Sequence, residues 1–307
     1  MAPAKRTRSA PVDGSGPTFL GTLLGQLFRD IREENRATRE DIAEILDVSV
    51  HAVARLETAE NRGTVPQVHL LCSRFKVPAE TAEYMESLAR RAKQRGWWSE
   101  YDQLLGGPYS KIVAVENLVA SSKTGQIRTW EPDIFPGLFQ APDYIRALFE
   151  QHELLAKSTG ERPWAPVGGV PTLDEQVESR KRRALILDGE NPPMVWAIIG
   201  EGAFRKQIGG PDVMRKQLQH LLELSQRRNI TIQIMKDDAG YHPGVTGPFT
   251  HFIFSKAADH SVVYHEGPSS FGDNINMIAR HDAVFRQLQA TAISLVDARS
   301  YLLHALS

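Results

Sequence analysis

The sequence contains very little cysteine, and this scarcity excludes several classes of protein. Its 307 residues include a single cysteine, Cys72. One thiol cannot form a disulfide within the chain, and it cannot build a cysteine-rich metal site. Cys72 lies in the apolar helical pattern "VHLLCSRF". This pattern favours a buried thiol over a nucleophile.

Long hydrophobic runs and an excess of charge of one sign are also missing. No apolar run approaches the roughly 20 residues that cross a bilayer, and the formal net charge is −1. Any contact with a polyanion must therefore come from a local patch. The stretch "MAPAKRTRSAPVDGSGP" is basic, but no apolar segment follows it. We predict a disordered tail over 1–18 rather than a secretory signal, and a cytoplasmic protein that does not contact membranes.

Motifs of common catalytic sites are absent as well. The sequence has no H-E-x-x-H, no G-x-S-x-G, no P-loop and no dinucleotide fingerprint. The polar candidates for catalysis are His242, His251, His260, His265, Glu266, Ser269 and Ser270. Their spacing is not diagnostic of a metal site. We therefore expect no enzymatic activity, no metal and no cofactor.

The apolar periodicity that is present predicts two domains of different class. Five helices are predicted within the first hundred residues, which indicates a mainly α domain over 19–95. After the basic stretch Arg90–Gly96 the pattern becomes α+β, with a second domain over 96–307. Its strand candidates are "PMVWAIIG", "NITIQIM", "PFTHFIFS" and "HSVVYHE". The alternation in "NITIQIM" predicts a half-buried strand, and one closing helix is predicted from about Asp273 to Leu303.

Two short amphipathic segments in the first domain are joined by only three residues. In "TREDIAEILDVSVHAVARLE", Thr38 approximates a capping box with Asp41, and Ser49 restarts a helix after "DVS". Val53 and Leu56 point inward from the second segment. Two short helices with a tight turn form a helix-turn-helix, whose second helix enters the major groove of DNA.

This geometry assigns DNA-binding roles to the outward residues. We predict base or near-base contacts for Ser49, Val50, His51 and Arg55, and phosphate contacts for Thr38 and Arg39. Basic and acidic residues are equally numerous between Leu20 and Gly96, so the cations must cluster on one face. The residues available for this are Arg36, Arg39, Arg55 and Arg62. Alternatively, Arg55 holds Glu57 or a neighbouring carboxylate in a structural role.

The stretch "IREENRATREDIAEILDVSVHAVARLE" resembles the Cro/CI-type (xenobiotic-response-element, XRE) helix-turn-helix family over about residues 19–77. The residues that match its usual pattern are Arg32, Glu33, Glu34, Thr38, Glu40, Ala43, Leu46, Val48, Ser49, Val53, Arg55 and Glu57. The resemblance implies a DNA-binding domain. Arg36 and Asp47 replace the family's usual glycines, and Arg39 replaces its glutamine. These departures affect the base preference more than the fold.

The second domain is similar to the C-terminal domain of actinobacterial antitoxin-like (WhiJ-type) regulators. The segments "GWWSEY", "IRTWEPDIFPGLFQAPDYIRAL", "GGPDVMRKQLQHLLELS", "NITIQIM" and "YHPGVTGPFTHFIF" carry this similarity in order. The resemblance implies a transcriptional regulator whose C-terminal domain responds to a partner. In such families the partner is often a small, separately encoded protein (BldB-like).

Aromatic residues in two proline-containing loops are the candidate contacts for that partner or effector. "TWEPDIFPGLF" supplies Trp130 and Phe135, and "GYHPGVTGPF" supplies Tyr241 and His242. Burial in the core is the alternative for each, and it is favoured for Trp130. A further basic stretch, "ESRKRRALIL", predicts a solvated helix face more readily than a binding face.

These patterns together predict a sequence-specific DNA-binding transcriptional regulator. We expect a homodimer on a near-palindromic operator in double-stranded DNA, with recognition helices about 34 Å apart. The C-terminal domain is expected to bind a small protein partner or an effector and to help dimerisation. One alternative is a small-molecule-sensing repressor. The other is an antitoxin-like protein-interaction module whose DNA binding is autoregulatory.

Overall fold

The computed structural model describes residues 19–92, 107–122, 124–159, 172–254, 261–265, 271–272 and 275–306. The chain forms two compact units, Met1–Gln94 and Arg95–Ser307. The first unit is helical where it is described, and the second combines helices with a six-stranded sheet. The predicted fold class, a mainly α region followed by an α+β region, is confirmed. No helix in the described part of the chain is long and apolar enough to span a membrane.

Five helices make up the described part of the first unit. They are α1 (Phe19–Glu34), α2 (Arg39–Leu46), α3 (Val50–Glu57), α4 (Val65–Phe75) and α5 (Ala79–Arg91). Their apolar stripes meet in a core that buries Leu24, Ile42, Leu71 and Met85 almost completely. Cys72 is also buried, and burial raises the pKa of its thiol to about 11. The predicted buried thiol is confirmed.

Several of these helices end in a left-handed residue that is not glycine. The residues with positive φ are Arg36, Asp47, Ala59 and Lys76. Asp47 ends α2 at φ 51° and ψ 53°, as expected for an Asp in a left-handed turn. Two residues together end α1. Asn35 Nδ2 donates to the Ile31 carbonyl at 2.8 Å, and Arg36 reverses the chain through its positive φ.

The sheet of the second unit has the strand order β3-β2-β1-β4-β5-β6. Its strands are β1 (Gln126–Glu131), β2 (Met194–Gly200), β3 (Ile230–Met235), β4 (Phe249–Ile253), β5 (Ser261–Tyr264) and β6 (Phe271–Gly272). β1, β2 and β3 pair in parallel, and β4, β5 and β6 continue the sheet antiparallel from β1. The four predicted strands are therefore present, and the candidates "PFTHFIFS" and "HSVVYHE" contain β4 and β5, which pair antiparallel.

Seven α-helices of the second unit lie in its described segments. They are α6 (Gly107–Ala120), α7 (Pro142–Thr159), α8 (Leu173–Ala184), α9 (Glu201–Arg205), α10 (Pro211–Leu224), α11 (Ile275–Thr291) and α12 (Leu295–Leu306). Short 3-10 turns occur at Gly137–Phe139, Leu185–Asp188 and Pro243–Thr246. One core cluster joins Trp130, Ile198 and Phe249 of the sheet to Phe285 and Leu288 of α11.

The prediction of one closing helix is wrong, because the segment forms two helices, α11 and α12, with a short interruption between them. The backbone N–H of Ile293 donates to the Ile234 carbonyl of β3 at 3.0 Å, so this N–H does not form the hydrogen bond that would continue α11. Ser294 then caps the new helix by accepting from the Asp297 N–H at 3.2 Å. Local apolar periodicity carries no information about a hydrogen bond to a distant strand, so the sequence pattern predicted one helix in place of two.

The prediction of a half-buried β3 is also wrong. Of the two polar residues in β3, Thr231 is partly exposed, but Gln233 is only 6% exposed. Its amide donates to the carbonyls of Gln289 and Ile293, both at 3.2 Å, and accepts from Trp196 Nε1 at 3.0 Å. A fully hydrogen-bonded amide can be buried at little cost. Alternating polarity therefore did not translate into alternating exposure.

Candidate nucleic-acid interface

The helix-turn-helix is built from local side-chain caps. Thr38 and Asp41 form the predicted capping box: the Thr38 N–H donates to Asp41 Oδ2 at 2.7 Å, and the Asp41 N–H donates to Thr38 Oγ1 at 3.2 Å. At the other end of α2, the Val48 N–H donates to the Ala43 carbonyl at 3.0 Å. These bonds satisfy backbone groups that a helix leaves unpaired at its ends, and they fix the direction in which α3 begins.

Ser49 starts α3 as its N-cap residue. Its backbone is extended, and its Oγ accepts from the Ala52 N–H at 3.2 Å. The hydroxyl proton is not used by this bond, so Ser49 keeps one donor for a DNA contact. Its predicted DNA-binding role is thus combined with a structural one.

The leading end of α3 is exposed to solvent within the first unit. Val50 is 38% exposed, whereas Val53 and Leu56 are 1% and 4% exposed. His51 and Arg55 are also exposed, and they lie one helical turn apart on the same face. The inward and outward faces of α3 are therefore divided as the sequence predicted, and the candidate base-reading residues are accessible in this unit.

The last residue of α3 is a buried carboxylate held by arginines. The side chain of Glu57 is only 1% exposed. Arg32 Nε donates to Glu57 Oε1 at 2.6 Å, and Arg39 donates to Oε2 through Nε at 3.0 Å and Nη2 at 2.9 Å. Arg29 Nε lies 3.8 Å from the same carboxylate. This Glu57 cluster joins α1, α2 and α3.

The charges around Glu57 determine its protonation. Burial acts to raise the pKa of Glu57, but the hydrogen bonds and charges of Arg32 and Arg39 outweigh it and lower the pKa below its usual value. The bond to Glu57 in turn raises the pKa of Arg32, against the opposing effect of its own partial burial. Both shifts favour the ionised forms of the Glu57 carboxylate and the Arg32 guanidinium.

The structure gives Arg39 a structural contact that the sequence did not predict. The sequence pattern assigned this residue to DNA phosphate alone, whereas its side chain, 42% exposed, is oriented by Glu57. Arg29 and Arg32 were not predicted as partners of Glu57. A signal was available, because Glu57 follows Val53 by four residues and so lies on the inward stripe of α3. A carboxylate on a buried stripe requires a cationic or hydrogen-bonding partner.

Arg55 also has a carboxylate neighbour, although not Glu57. Its Nε lies 3.6 Å from Glu60 Oε2, and both side chains are largely exposed. A pair this long and this solvated contributes little to stability. Arg36 and Arg62, the other two predicted cations, lie at or near the surface as well.

The partner contacts predicted for Trp130 and Phe135 do not fit the structure. Trp130 is 2% exposed and Phe135 is fully buried. Trp130 Nε1 donates to the Gly244 carbonyl at 2.9 Å, and the Phe135 ring packs edge-on against Phe204 at 5.2 Å. A buried, hydrogen-bonded ring has no surface to offer a partner, so both residues are corrected to core positions.

Tyr241 and His242 lie in the second aromatic loop, with very different exposure. Tyr241 is 82% exposed and Val245, on the adjoining 3-10 turn, is 60% exposed. His242 is 9% exposed and packs edge-on against Trp130, with ring centroids 5.3 Å apart. Burial lowers the pKa of His242, so the ring is neutral at pH 7. Of the two, Tyr241 alone presents a large surface for a partner.

Three of the candidate catalytic residues, His242, His251 and His265, lie in the described part of the chain, and the His265 ring packs against His281 with centroids 4.7 Å apart. His251 is 2% exposed, its Nε2 is 2.9 Å from Ser261 Oγ, and burial lowers its pKa to about 4. His260, Glu266, Ser269 and Ser270 lie outside the described residues. Across the described segments, no three His, Cys, Asp or Glu side chains are grouped to hold a metal ion.

The basic stretch on α8 is not simply a solvated face. Arg183 is 8% exposed and makes a two-pronged ion pair with the buried Glu116 of α6, through Nε at 2.6 Å and Nη2 at 2.7 Å. The favoured prediction therefore fails for Arg183, although Lys181 is exposed as expected. No local pattern indicates Glu116, which lies 67 residues away.

Two family models match separate parts of the chain. A family model described as a helix-turn-helix domain matches residues 23–85, so the region that contains α2 and α3 is a helix-turn-helix domain. A second model, described as a domain of unknown function (DUF5753), matches residues 117–304. No curated protein and no solved structure matches the chain. Because the second model covers more than half of the sequence, the chain belongs to the DUF5753 family.

Proposed function

We propose that this protein is a sequence-specific DNA-binding transcriptional regulator that reads DNA through the leading end of α3. The observation that carries the proposal is the exposure of Val50, His51 and Arg55 on a helix whose other face is buried. A capped helix of this length fits the major groove with its N-terminal residues against base edges. The match to a helix-turn-helix domain supports the same interpretation.

The exposed side chains suggest distinct roles in recognition. The methyl groups of Val50 suit contact with a thymine methyl, and the guanidinium of Arg55 suits two hydrogen bonds to guanine. Arg39 lies at the start of α2, where the helix dipole favours a phosphate. Thr38 lies there too, but its N–H and its hydroxyl both donate to Asp41 Oδ2, at 2.7 and 2.8 Å, which weakens the case for a phosphate contact by this residue. Two donor atoms of Arg39 already bind Glu57, so Glu57 would position this side chain for a backbone phosphate.

A dimer is part of the proposal. One short recognition helix makes too few base contacts for useful specificity, and two copies related by a two-fold axis would read half-sites about 34 Å apart. The operator is then near-palindromic. Light scattering of the full chain, alone and with operator DNA, measures the stoichiometry; a single chain on each operator would contradict this part of the proposal.

Genome-wide DNA capture with the purified full chain is the direct test. The expected result is a small set of sites that share a near-palindromic motif. On such a site, Arg55→Gln should weaken binding by roughly 1–3 kcal/mol. Arg74→Gln is the matched control, because Arg74 is an exposed arginine of the same unit on α4. Capture of DNA without a shared motif, or equal effects of both substitutions, would contradict sequence-specific reading by α3.

For the second unit we propose partner binding, as the resemblance to antitoxin-like (WhiJ-type) regulators implies. The exposed Tyr241 and Val245 are the surface that supports a protein contact, and the proposed partner is a small, separately encoded protein. Co-purification of the full chain with the product of a small neighbouring reading frame tests this. Tyr241→Ala should weaken the complex, whereas Leu155→Ala, at an exposed position on α7, should not. An unchanged complex would remove Tyr241 from the interface.

A second candidate is regulation by a small molecule, as in an effector-controlled repressor. One specific observation favours it: an open cleft in the second unit, lined by polar and apolar residues. Neither candidate includes a catalytic step.

A further inference from the structure

The turn after α3 brings a glutamate next to Arg55. This turn (58–61) reverses at Ala59, which has φ 60° and is only 3% exposed. Left-handed backbone is unfavourable for alanine, so the contacts around it must hold the turn in place. The next residue, Glu60, lies beside the last turn of α3, with its Oε2 3.6 Å from Arg55 Nε. Arg55 is the residue for which we propose a contact with guanine.

Backbone hydrogen bonds fix the turn to α3 itself. The N–H of Ala59 donates to the Leu56 carbonyl at 3.1 Å, and the N–H of Asn61 donates to the carbonyl of Arg55 at 2.8 Å. The residues on both sides of Glu60 are therefore bonded to the last turn of the helix. The backbone of Glu60 consequently has a fixed position relative to that of Arg55, and its carboxylate stays within reach of the guanidinium.

The atom of Arg55 that faces Glu60 is Nε. Among the described residues, the side chain of Arg55 has no other ion pair or hydrogen bond, so its terminal nitrogens, Nη1 and Nη2, have no partner there. Guanine presents O6 and N7 in the major groove, and a bidentate arginine donates to both. An arginine that approaches guanine through its terminal nitrogens can keep Nε directed at a carboxylate, so the two contacts do not compete.

A carboxylate in this place also opposes DNA binding. The side chains of Arg55 and Glu60 are 44% and 59% exposed, and phosphates repel an exposed anion. A solvated pair of this length adds little to folding stability. Removal of the carboxylate should therefore strengthen binding to any DNA, unless the carboxylate has a role in recognition. The sign of the effect separates these two cases.

We propose that Glu60 is a positioning residue for Arg55. Its carboxylate restrains the guanidinium so that both terminal nitrogens point at one guanine in each half-site of the operator. Glu60 thus increases the preference for that guanine over other bases, at some cost in overall affinity. The inference rests on the proposed reading of DNA by α3, and it adds the residue that orients the arginine of that helix.

A double-mutant cycle on operator DNA is the test. Fluorescence anisotropy of the full chain measures the affinity for the captured operator and for variants in which each G·C pair of a half-site is replaced by A·T. The pair that Arg55 reads is the one at which Arg55→Gln lowers the preference most, by roughly 5- to 150-fold. At that pair, Glu60→Gln should lower the preference about three- to ten-fold. In the Arg55→Gln background, Glu60→Gln should have no further effect, since no arginine remains to be oriented.

Two matched variants separate orientation from charge. Glu60→Asp keeps the carboxylate and should retain more of the preference than Glu60→Gln. Glu83→Gln removes an exposed glutamate of α5 and should leave the preference unchanged. A direct contact between Glu60 and the amino group of a cytosine would instead give a loss that is as large in the Arg55→Gln background as in the unmodified chain. That result would overturn the inference.

A measurement without DNA tests the contact itself. In the full chain with isotope-labelled arginine, the NMR order parameter of Arg55 Nε–Hε should fall in Glu60→Gln. The signal is assigned by its absence in Arg55→Gln, and circular dichroism confirms that each variant is folded.

The outcomes separate this inference from the proposed function. An unchanged preference in Glu60→Gln, or an unchanged order parameter, overturns the positioning role, while a loss of preference in Arg55→Gln still supports DNA reading by α3. If Arg55→Gln loses preference at no base pair, the reading of DNA by Arg55 is itself contradicted.

Discussion

Each unit of this protein buries a carboxylate against arginine, but the two arrangements differ in what they leave at the surface. In the first unit, Glu57 is surrounded by Arg29, Arg32 and Arg39, whose side chains are 35%, 14% and 42% exposed. In the second, Glu116 and Arg183 are both almost fully buried. The three arginines of the Glu57 cluster therefore reach solvent in part, and their charge is only partly balanced by Glu57 and by Glu33, which accepts from Arg32 Nη2 at 3.1 Å, whereas the Glu116 pair is closed.

The difference connects each arrangement to a role. Surplus cations at the surface attract a polyanion, and they lie next to the candidate DNA-reading helix. The buried Glu116–Arg183 pair exposes almost no charge that could attract a ligand, but it holds α6 and α8 together. The same residue types thus leave exposed cations in one unit and hold two helices together in the other.

Breaking the buried Glu116–Arg183 pair should have the largest effect on stability. Arg183→Met leaves Glu116 charged and buried without this partner, and we expect a loss of about 3–5 kcal/mol in the stability of the second unit. Unfolding in urea, followed by tryptophan fluorescence, measures it. The double variant Glu116→Leu with Arg183→Met should recover most of the loss, because an apolar pair avoids the desolvation cost. Failure to recover would show that the pair does more than hold the helices.

Breaking the Glu57 cluster should cost less stability than breaking the Glu116–Arg183 pair. Glu57→Gln removes the charge that orients the arginines, and we expect about 1–3 kcal/mol because Arg32 and Arg39 regain solvent. Amide hydrogen exchange of peptides from α1, α2 and α3 measures the change in the first unit alone. Glu60→Gln removes an exposed carboxylate nearby and should stay within about 0.5 kcal/mol. Equal effects of the two substitutions would contradict a structural role for the Glu57 cluster.

Acid should weaken the Glu57 cluster and so lower the stability of the first unit. The pKa of Glu57 is lowered in the folded state from the ordinary 4.5. Its contribution to stability is therefore complete above pH 4.5 and is lost as the pH falls through the lower folded-state value. Hydrogen exchange of α3 peptides between about pH 3 and pH 6, corrected for intrinsic exchange rates, should show this loss. Glu57→Gln should reduce the slope; an unchanged slope would assign it to other carboxylates.

The two units also differ in the residues that occupy left-handed backbone, which gives the smallest expected effect. In the first unit they are Arg36, Asp47, Ala59 and Lys76, whereas the described part of the second unit uses only glycines there. Lys76→Gly should stabilise the first unit by about 0.5–1 kcal/mol, since glycine adopts φ 52° without a steric cost. Gly240→Ala, at φ 75° with open space around it, should destabilise the second unit similarly. The midpoints of thermal unfolding test both signs.

Local chemistry explains why much of the first unit was predictable. The capping box at Thr38, the cap at Ser49 and the left-handed turn at Asp47 depend on residues within four positions of one another. The inward Val53 and Leu56 leave His51 and Arg55 outward by helical periodicity alone. The candidate DNA-reading face could thus be named from the sequence, although its contact with DNA remains a prediction.

The failures all involve distant partners. Phe135 was predicted as a candidate contact, but it is fully buried against Phe204 of α9. The closing helix was split by a bond from Ile293 to β3, and Arg183 was buried by Glu116. The cleft itself was not predicted, because its lining comes from segments about sixty residues or more apart along the chain.

The sequence by itself determined the helix caps, the exposed and buried faces of α3 and most of the strands, because these follow from side chains that are near neighbours along the chain. Only the tertiary structure decided which arginines meet Glu57 and Glu116, which aromatic rings are buried, and where a cleft opens. Those outcomes depend on the desolvation of charges and on packing between remote segments, and no local pattern encodes the partner.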